Sequence, residues 1–292
     1  MTHPQPAIFA LGTRDHLHLQ FDAVGDPAAL LDGVRQLRQE ATTVAGVNVV
    51  VGFGPSAVTA LSSDFVPRDF VATGPIGGLD GFTIPDTQHD LWVWLHGTGQ
   101  DSLLAAAQRA VSALGSTASL VDEQPSFVYG ASQDLTGFED GTENPPVDDA
   151  VALAAVPEGV AGGGGSIVLV QQWVHDLDAF NRLEITEQEQ VIGRTLTGSV
   201  ELDDLPADSH VARVVVEDDQ GDELEVFRRS TSFGGVDEHG LIFVAFSRDQ
   251  ARLRQMLDSM AGAEDGVRDR LTRFSTPKSS AWYFAPPVEA FA

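Results

Sequence analysis

The sequence predicts an antiparallel α+β fold assembled from two like halves, and three observations lead there. An apolar, strand-like run at 91–95 passes through a polar turn to Asp101 and then into an amphipathic helix around Leu104. A second run at 241–246 passes in the same way to Asp249 and a helix around Leu253, about half a chain later, as a duplication would leave it. Strands and helices otherwise mix without the regular βαβ alternation of a doubly wound sheet, which favours antiparallel pairing.

The elements follow in order. Asp26-Pro27 reads as N-cap and first residue of a helix whose Leu30, Val34, Leu37 and Ala41 share one face. The run at 47–53 is strand-like, as is 91–95. Asp101 opens a helix through Leu104, Ala107 and Val111 to Gly115, and the halves are expected to join near 115–127. Further strands are predicted at 167–173, 210–217 and 241–246. Asp249 opens a helix with Leu253, Met256 and Met260 on its apolar side. The Gly162 to Gly165 tract, with no P-loop lysine, reads as a flexible loop.

Composition narrows the function. With 292 residues and 42% hydrophobic content, the chain has material for one large domain or two medium ones. No apolar run approaches the roughly 20 residues needed to span a bilayer. The first residues lack a basic n-region and meet Arg14-Asp15 early, so a cytoplasmic location is expected. Seventeen basic residues against 43 acidic ones give a net charge of −26, and Lys278 is the only lysine. Such a surface repels phosphate backbones and anionic membranes, so neither nucleic acid nor membrane is an expected partner. The absence of cysteine excludes disulfides, thiolate nucleophiles, cysteine-held iron–sulfur clusters and a thiolate-ligated haem.

The densest chemical signal is Gly137-Phe-Glu-Asp140-Gly-Thr-Glu-Asn-Pro145, a constrained turn that can bring a carboxylate close to a ligand. A solvated acidic turn and a cation loop through Asp140, Thr142 and Asn144 are the alternatives, although the glycine is misplaced for an EF-hand. Among eight histidines, His3, His16, His18 and His89 read as surface residues. His96 ends a strand, His175 opens a helix, and His239 sits in a turn. His210 lies where a loop enters an apolar run, a setting that on pattern alone favours a satisfied structural histidine over a ligand. Arg228-Arg229 falls in a strand-like stretch, so one of the two should be buried against something negative. Spacing does not say which.

Taken together, these segments resemble the dye-decolorizing peroxidase family. Gly137-Phe-Glu-Asp140-Gly141 matches its G-x-x-D-G motif and Thr142 to Pro145 the usual extension. Gln172-Trp-Val-His-Asp-Leu177, Glu189 to Arg194, Asp208-Ser-His210-Val-Ala212, Arg228 to Gly234 and Gly240 to Phe246 follow in family order. The resemblance covers residues 125–285, with a weaker echo before them, and the short, unexported B-type members are nearest in length. It implies duplicated ferredoxin-like halves, 1–125 and 126–292, with antiparallel sheets, peripheral helices and haem b (iron protoporphyrin IX) in the C-terminal half.

By the same resemblance, His210 is the proximal iron ligand, Asp140 the distal acid and Arg228 the distal arginine, also contacting the cofactor. Phe243 lines the distal face. Ser230 stands where many B-type members have Asn, so hydrogen bonding at the peroxide should be looser or completed by water. The implied activity is reduction of hydrogen peroxide coupled to oxidation of small organic donors such as dyes or phenolics. Trp173, Trp282 and Tyr283 are candidates for surface oxidation of bulky donors. Haem storage or iron release, and a non-haem interaction scaffold, are the alternative functions. Homo-oligomerisation is left open. Some members carry a C-terminal extension that loads them into a protein nanocompartment, and the ending at Pro287 to Ala292 gives that partner no support.

Overall fold

The computed structural model describes residues 2–40, 46–217, 220–221 and 223–292. The first half of the chain runs β1 (Asp15–Ala23), α1 (Pro27–Glu40), β2 (Asn48–Phe53), a small hairpin of β3 (Ile76–Gly77) and β4 (Thr83–Ile84), β5 (Leu91–Gly97), α2 (Gln100–Leu114) and β6 (Ala118–Phe127). The second runs α3 (Val147–Ala154), β7 (Ser166–His175), α4 (Leu177–Phe180), α5 (Ile185–Ile192) and α6 (His210–Val214). It continues with β8 (Phe227–Arg228), β9 (Thr231–Gly234), β10 (His239–Ser247), α7 (Gln250–Ala261) and β11 (Ser275–Ala285).

The hydrogen-bonded orders are β2-β5-β1-β6 and β9-β10-β7-β11, all antiparallel. In each set the first strand lies between the third and the fourth, while the second flanks the third. The resembling strand–turn–helix units, β5-α2 and β10-α7, therefore occupy matching places. Single residue pairs, Phe53 with Phe284 and Phe127 with Ser232, join the two sheets edge to edge and close them into a ring. Helices cover the outside of the ring, and a second core fills the inside.

That closure explains the unbroken apolar runs. Every residue of β5 is buried, because Leu91, Val93 and Leu95 pack outward with α1 and α2 while Trp92 and Trp94 fill the interior. It also explains why β1 escaped notice. His16, His18 and Gln20 alternate with Leu17, Leu19 and Phe21, a pattern expected of a half-solvated strand, yet all six are buried. His16 and His18 are thus interior residues, contrary to the surface reading. Their rings stack on Trp94, and Trp94 Nε1 donates to His16 Nδ1 at 3.2 Å.

Other expectations need correcting. The run at 210–217 is not a strand. Ser209 accepts a hydrogen bond from the Ala212 amide and caps the short helix α6. The buried face of α2 is Leu103, Ala106, Ala107, Ala110 and Leu114, leaving Leu104 and Val111 exposed. His175 ends β7, and Asp176 caps the helix that follows. His239 begins β10 instead of lying in a turn. The Gly162 to Gly165 tract is packed: an added Cβ at Gly162 would come 2.6 Å from Pro67, and one at Gly165 would strike the Phe284 ring. Asp249 does cap α7, whose Leu253, Met256 and Met260 are buried. Leu30, Val34 and Leu37 are buried on α1 as expected, while Ala41 lies outside the described residues. No described helix is long and apolar enough to cross a membrane.

Candidate active site

The segment 128–165, which leads from β6 to β7, carries the Asp140 turn. Gly141 takes φ +77°, a left-handed conformation that favours glycine, and an added Cβ would crowd Asn144. Asn144 then clamps the turn onto β8. Its Oδ1 accepts from the Arg228 amide and its Nδ2 donates to the Arg228 carbonyl, each at 2.8 Å. With Asn144 committed in this way, the alternating Asp140, Thr142 and Asn144 do not form a cation loop.

The result is a cavity of about 880 Å³, partly open to solvent, whose wall includes Asp140, His210, Arg228 and Phe243. Leu241 and Phe243 are only half-buried in their strand because they face it, and Trp173, Met256, Met260 and Leu271 extend the apolar wall. All four residues singled out by the resemblance meet in one place. Ser230 is not part of the wall, although its hydroxyl is buried and has no hydrogen-bond partner among the described residues.

His210 is the first residue of α6. Its Nδ1 lies 2.7 Å from Oδ2 of Asp269, a fully buried carboxylate whose other oxygen accepts from the Leu271 amide at 2.8 Å. Arg270 pairs with Asp208 across the same junction, tying the His210 segment to the Asp269 turn. His210 Nε2 has no hydrogen-bond partner among the described residues. The imidazole is therefore oriented by a carboxylate at one nitrogen and available at the other, as a metal-ligating histidine requires.

Arg228 makes no ion pair among the described residues, and its Nε is buried without a partner. Asp140 is affected by several groups. Burial pushes its carboxyl above the usual range, Arg228 pulls down, Asp134 pushes up, and the Gly141 amide and His210 pull down; the net effect is upward. Arg229 points the other way, into the ring interior, and makes no ion pair among the described residues. It donates to the Ile8 and Ala10 carbonyls at 2.6 and 2.9 Å and lies over Trp94, and burial lowers its pKa to about 10.

A second cavity of about 750 Å³ shares Asp140, His210 and Arg228 with the first, and its wall includes Glu139, Glu143, Glu223 and Glu225. Arg194 pairs with Glu143 and Glu201 there. Trp173, Trp282 and Tyr283 are all buried, so the surface-oxidation role expected of them is not available.

Sequence reasoning missed Asp269, Asp134, His175 and Ser275 as parts of this site, and placed Asn144 in the turn without its hold on Arg228. Asp269 stands in a polar stretch, Val267-Arg-Asp-Arg-Leu271, that reads as an ordinary turn, and only folding brings it to His210.

Comparison with known proteins identifies the family. A family model described as Dyp-type peroxidase, C-terminal, matches residues 131–290. A dye-decolorizing peroxidase of Mycolicibacterium paratuberculosis is 37% identical over 248 residues, covering 80% of this chain and 70% of that one. The encapsulated DyP-type peroxidase of Mycobacterium smegmatis superposes with a TM-score of 0.92 at 31% identity, covering 100% of this chain and 98% of that one. A variant of the Rhodococcus jostii RHA1 protein, solved in complex with haem, gives 0.89 at 32% identity, covering 99% and 97%. On this evidence the chain belongs to the dye-decolorizing peroxidase family and is a haem-dependent peroxidase.

Proposed function

We propose that haem b sits in the 880 Å³ cavity, within the half formed by residues 126–292, and that His210 would hold its iron. The observation that carries this reading is the His210–Asp269 pair in the wall of a cavity that also holds Asp140 and Arg228. The apolar side of the cavity, formed by Trp173, Leu241, Phe243, Met256, Met260 and Leu271, suits a flat macrocycle. The buried, unpartnered Arg228 Nε and the unpaired His210 nitrogen are polar groups that such an occupant would satisfy.

When bound, haem supplies the iron at which peroxide is cleaved and the oxidising equivalents that donors then reduce. The protein's part is proton and charge management. Asp140, as a carboxylate, takes a proton from the inner peroxide oxygen and returns it to the outer one. The Arg228 guanidinium stabilises negative charge developing on the departing oxygen. Phe243 and its apolar neighbours keep bulk water from the cavity wall. Asp269 accepts from His210 Nδ1–H, which fixes the tautomer and raises the basicity of Nε2.

Electron donors are small organic molecules, and the acidic side chains around the adjoining cavity favour neutral or cationic ones. Visible spectra of the purified protein before and after hydrogen peroxide test the whole reading, with a pyridine haemochrome to identify the haem type. A Soret band that changes on peroxide and recovers on adding donor is expected. No Soret band after reconstitution would leave a scaffold. A band indifferent to peroxide would leave a haem store.

A further inference from the structure

The cavity wall contains a hydrogen-bonded chain that the proposed reaction does not use. Ser275 Oγ lies 2.8 Å from His175 Nδ1, and His175 Nε2 lies 3.1 Å from Asp134 Oδ2. Asp134 Oδ1 accepts from both the amide and the hydroxyl of Thr136, at 2.8 and 2.6 Å. All four residues line the same cavity as Asp140. We propose that Asp134, held by His175 and Thr136, is a positioning residue that fixes both the place and the charge state of Asp140. The proposal rests on the reading of Asp140 as the acid that handles the peroxide proton.

Place comes from the backbone. Asp134 lies six residues before Asp140 in one hydrogen-bonded turn: its amide donates to Phe138 O at 2.8 Å, and the Asp140 amide donates to Ser132 O at 3.0 Å. A bridge between Gln133 and Glu139 closes the same turn. His175 at the end of β7 and Ser275 at the start of β11 are directly paired strand residues. The chain therefore anchors the turn that carries Asp140 to the most extensively paired strands of the second sheet. Asn144 anchors it from the other end, on β8.

Charge comes from the donors. An ionised carboxylate only accepts, so His175 presents Nε2–H to it. Nδ1 then accepts from the Ser275 hydroxyl, so every member of the chain is satisfied with Asp134 ionised. Burial opposes the Asp134 charge, but the bonds from His175 and Thr136 outweigh it and hold the carboxyl below its usual range.

That fixed negative charge acts on Asp140 against Arg228 from β8, which favours ionisation, while His210 from α6, committed to iron through Nε2, lends no charge. Glu139, the adjacent residue, also lines the cavity. Removing the Asp134 charge leaves Arg228 less opposed, so Asp140 ionises at lower pH. A merely structural hydrogen bond would stabilise the turn without moving that titration.

The test is Asp134→Asn in the haem-loaded protein, which keeps the acceptor for His175 and removes the charge. Two readouts are followed against pH: the stopped-flow rate of the Soret change on peroxide, and the infrared carboxyl band assigned to Asp140 by its loss in Asp140→Asn. The acid limb of the rate and the infrared transition should both move to lower pH. At one fixed pH on that limb the rate should rise on the order of three- to tenfold, the scale of one like charge in a partly screened site. His175→Leu, which takes a donor from Asp134, should move the limb the same way, and His175→Gln, which can still donate, should restore it. Unmoved transitions in Asp134→Asn overturn the proposal, and if that variant does not fold, identical profiles in the two His175 variants overturn it equally. Should Asp140→Asn itself leave the acid limb in place, the reading of Asp140 is what fails.

Discussion

Asn144 and Arg228 hold each other through two hydrogen bonds of 2.8 Å, amide side chain to both backbone groups. The residue that closes the Asp140 turn is thereby the residue that fixes the backbone beneath the arginine. Acid and arginine are set at one spacing by a third side chain. Asn144→Ala should cost about 1–3 kcal/mol of stability, because two partly buried backbone groups lose partners. It should slow the reaction with peroxide by roughly tenfold or more while haem content stays normal. Thermal unfolding and stopped-flow mixing check both, and an unchanged rate in a destabilised variant would show that the clamp has no catalytic role.

His210→Ala should lose the histidine-ligated ferric spectrum, while His89→Ala and His239→Ala keep it. Asp269→Asn should bind haem with roughly 10- to 100-fold lower affinity, the usual cost of removing a carboxylate behind a ligating histidine. Haem titration of the four variants side by side decides the assignment. Normal occupancy and an unaltered spectrum in His210→Ala would point to another ligand.

Asp140 and Arg228 should separate by pH. The Asp140 carboxyl titrates above the ordinary range, so its working carboxylate form is lost as pH falls, earlier than for a free aspartate. Asp140→Asn should abolish that acid limb. Arg228→Leu should slow the peroxide reaction across the whole range by about 10²–10³-fold, the loss typical of a charge-stabilising donor. A flat, wild-type rate for Asp140→Asn beside a dead Arg228→Leu would make the arginine the principal catalyst.

Acid should also weaken the fold from inside the ring. Burial lowers His16 from 6.5 to about 4, and His96, under burial and nearby Arg229, to about 2. Below pH 6.5 the unfolded chain binds more protons than the folded one, so stability is full above that value and falls as pH drops. His16 contributes about 3 kcal/mol of that loss between pH 6.5 and 4. His16→Gln, whose carbonyl can still accept from Trp94, should flatten the curve of stability against pH over that window. Parallel urea-midpoint curves for the two proteins would refute it.

Donor charge should matter through the field. With a net charge of −26, cationic donors should lose more kcat/KM than anionic dyes as salt rises, since screening at physiological ionic strength acts over about 8 Å. Equal salt slopes for one donor of each sign would place the oxidation site outside that field.

The parts of this protein that could be read from sequence share a property: their signal is local. The β5-α2 and β10-α7 units announce themselves by periodicity and an Asp near the helix start, and the Asp140 turn by its glycines. His16 and His18 could not be read, because polar residues alternating on a strand imply solvent unless a second sheet covers them. Asp269 could not be read either, since its meaning is its 2.7 Å approach to a histidine 59 positions earlier. Residues 210–217 misled because β-branched side chains outweighed the Ser209 cap on paper, whereas the cap prevailed in the fold.

The ring of strands has a consequence for how this molecule fails. β5, the run Leu-Trp-Val-Trp-Leu-His-Gly, is the kind of sticky ribbon that would recruit copies of itself if its edge were bare. In the intact protein β5 is flanked on both sides, and each seam between the sheets rests on one residue pair, Phe53 with Phe284 or Phe127 with Ser232. Those seams are the weakest staves of the cask. Prying one open bares the rims of β2 and β11, or of β6 and β9, well before the helices melt. Aggregation on heating should therefore begin there and precede the loss of helical signal.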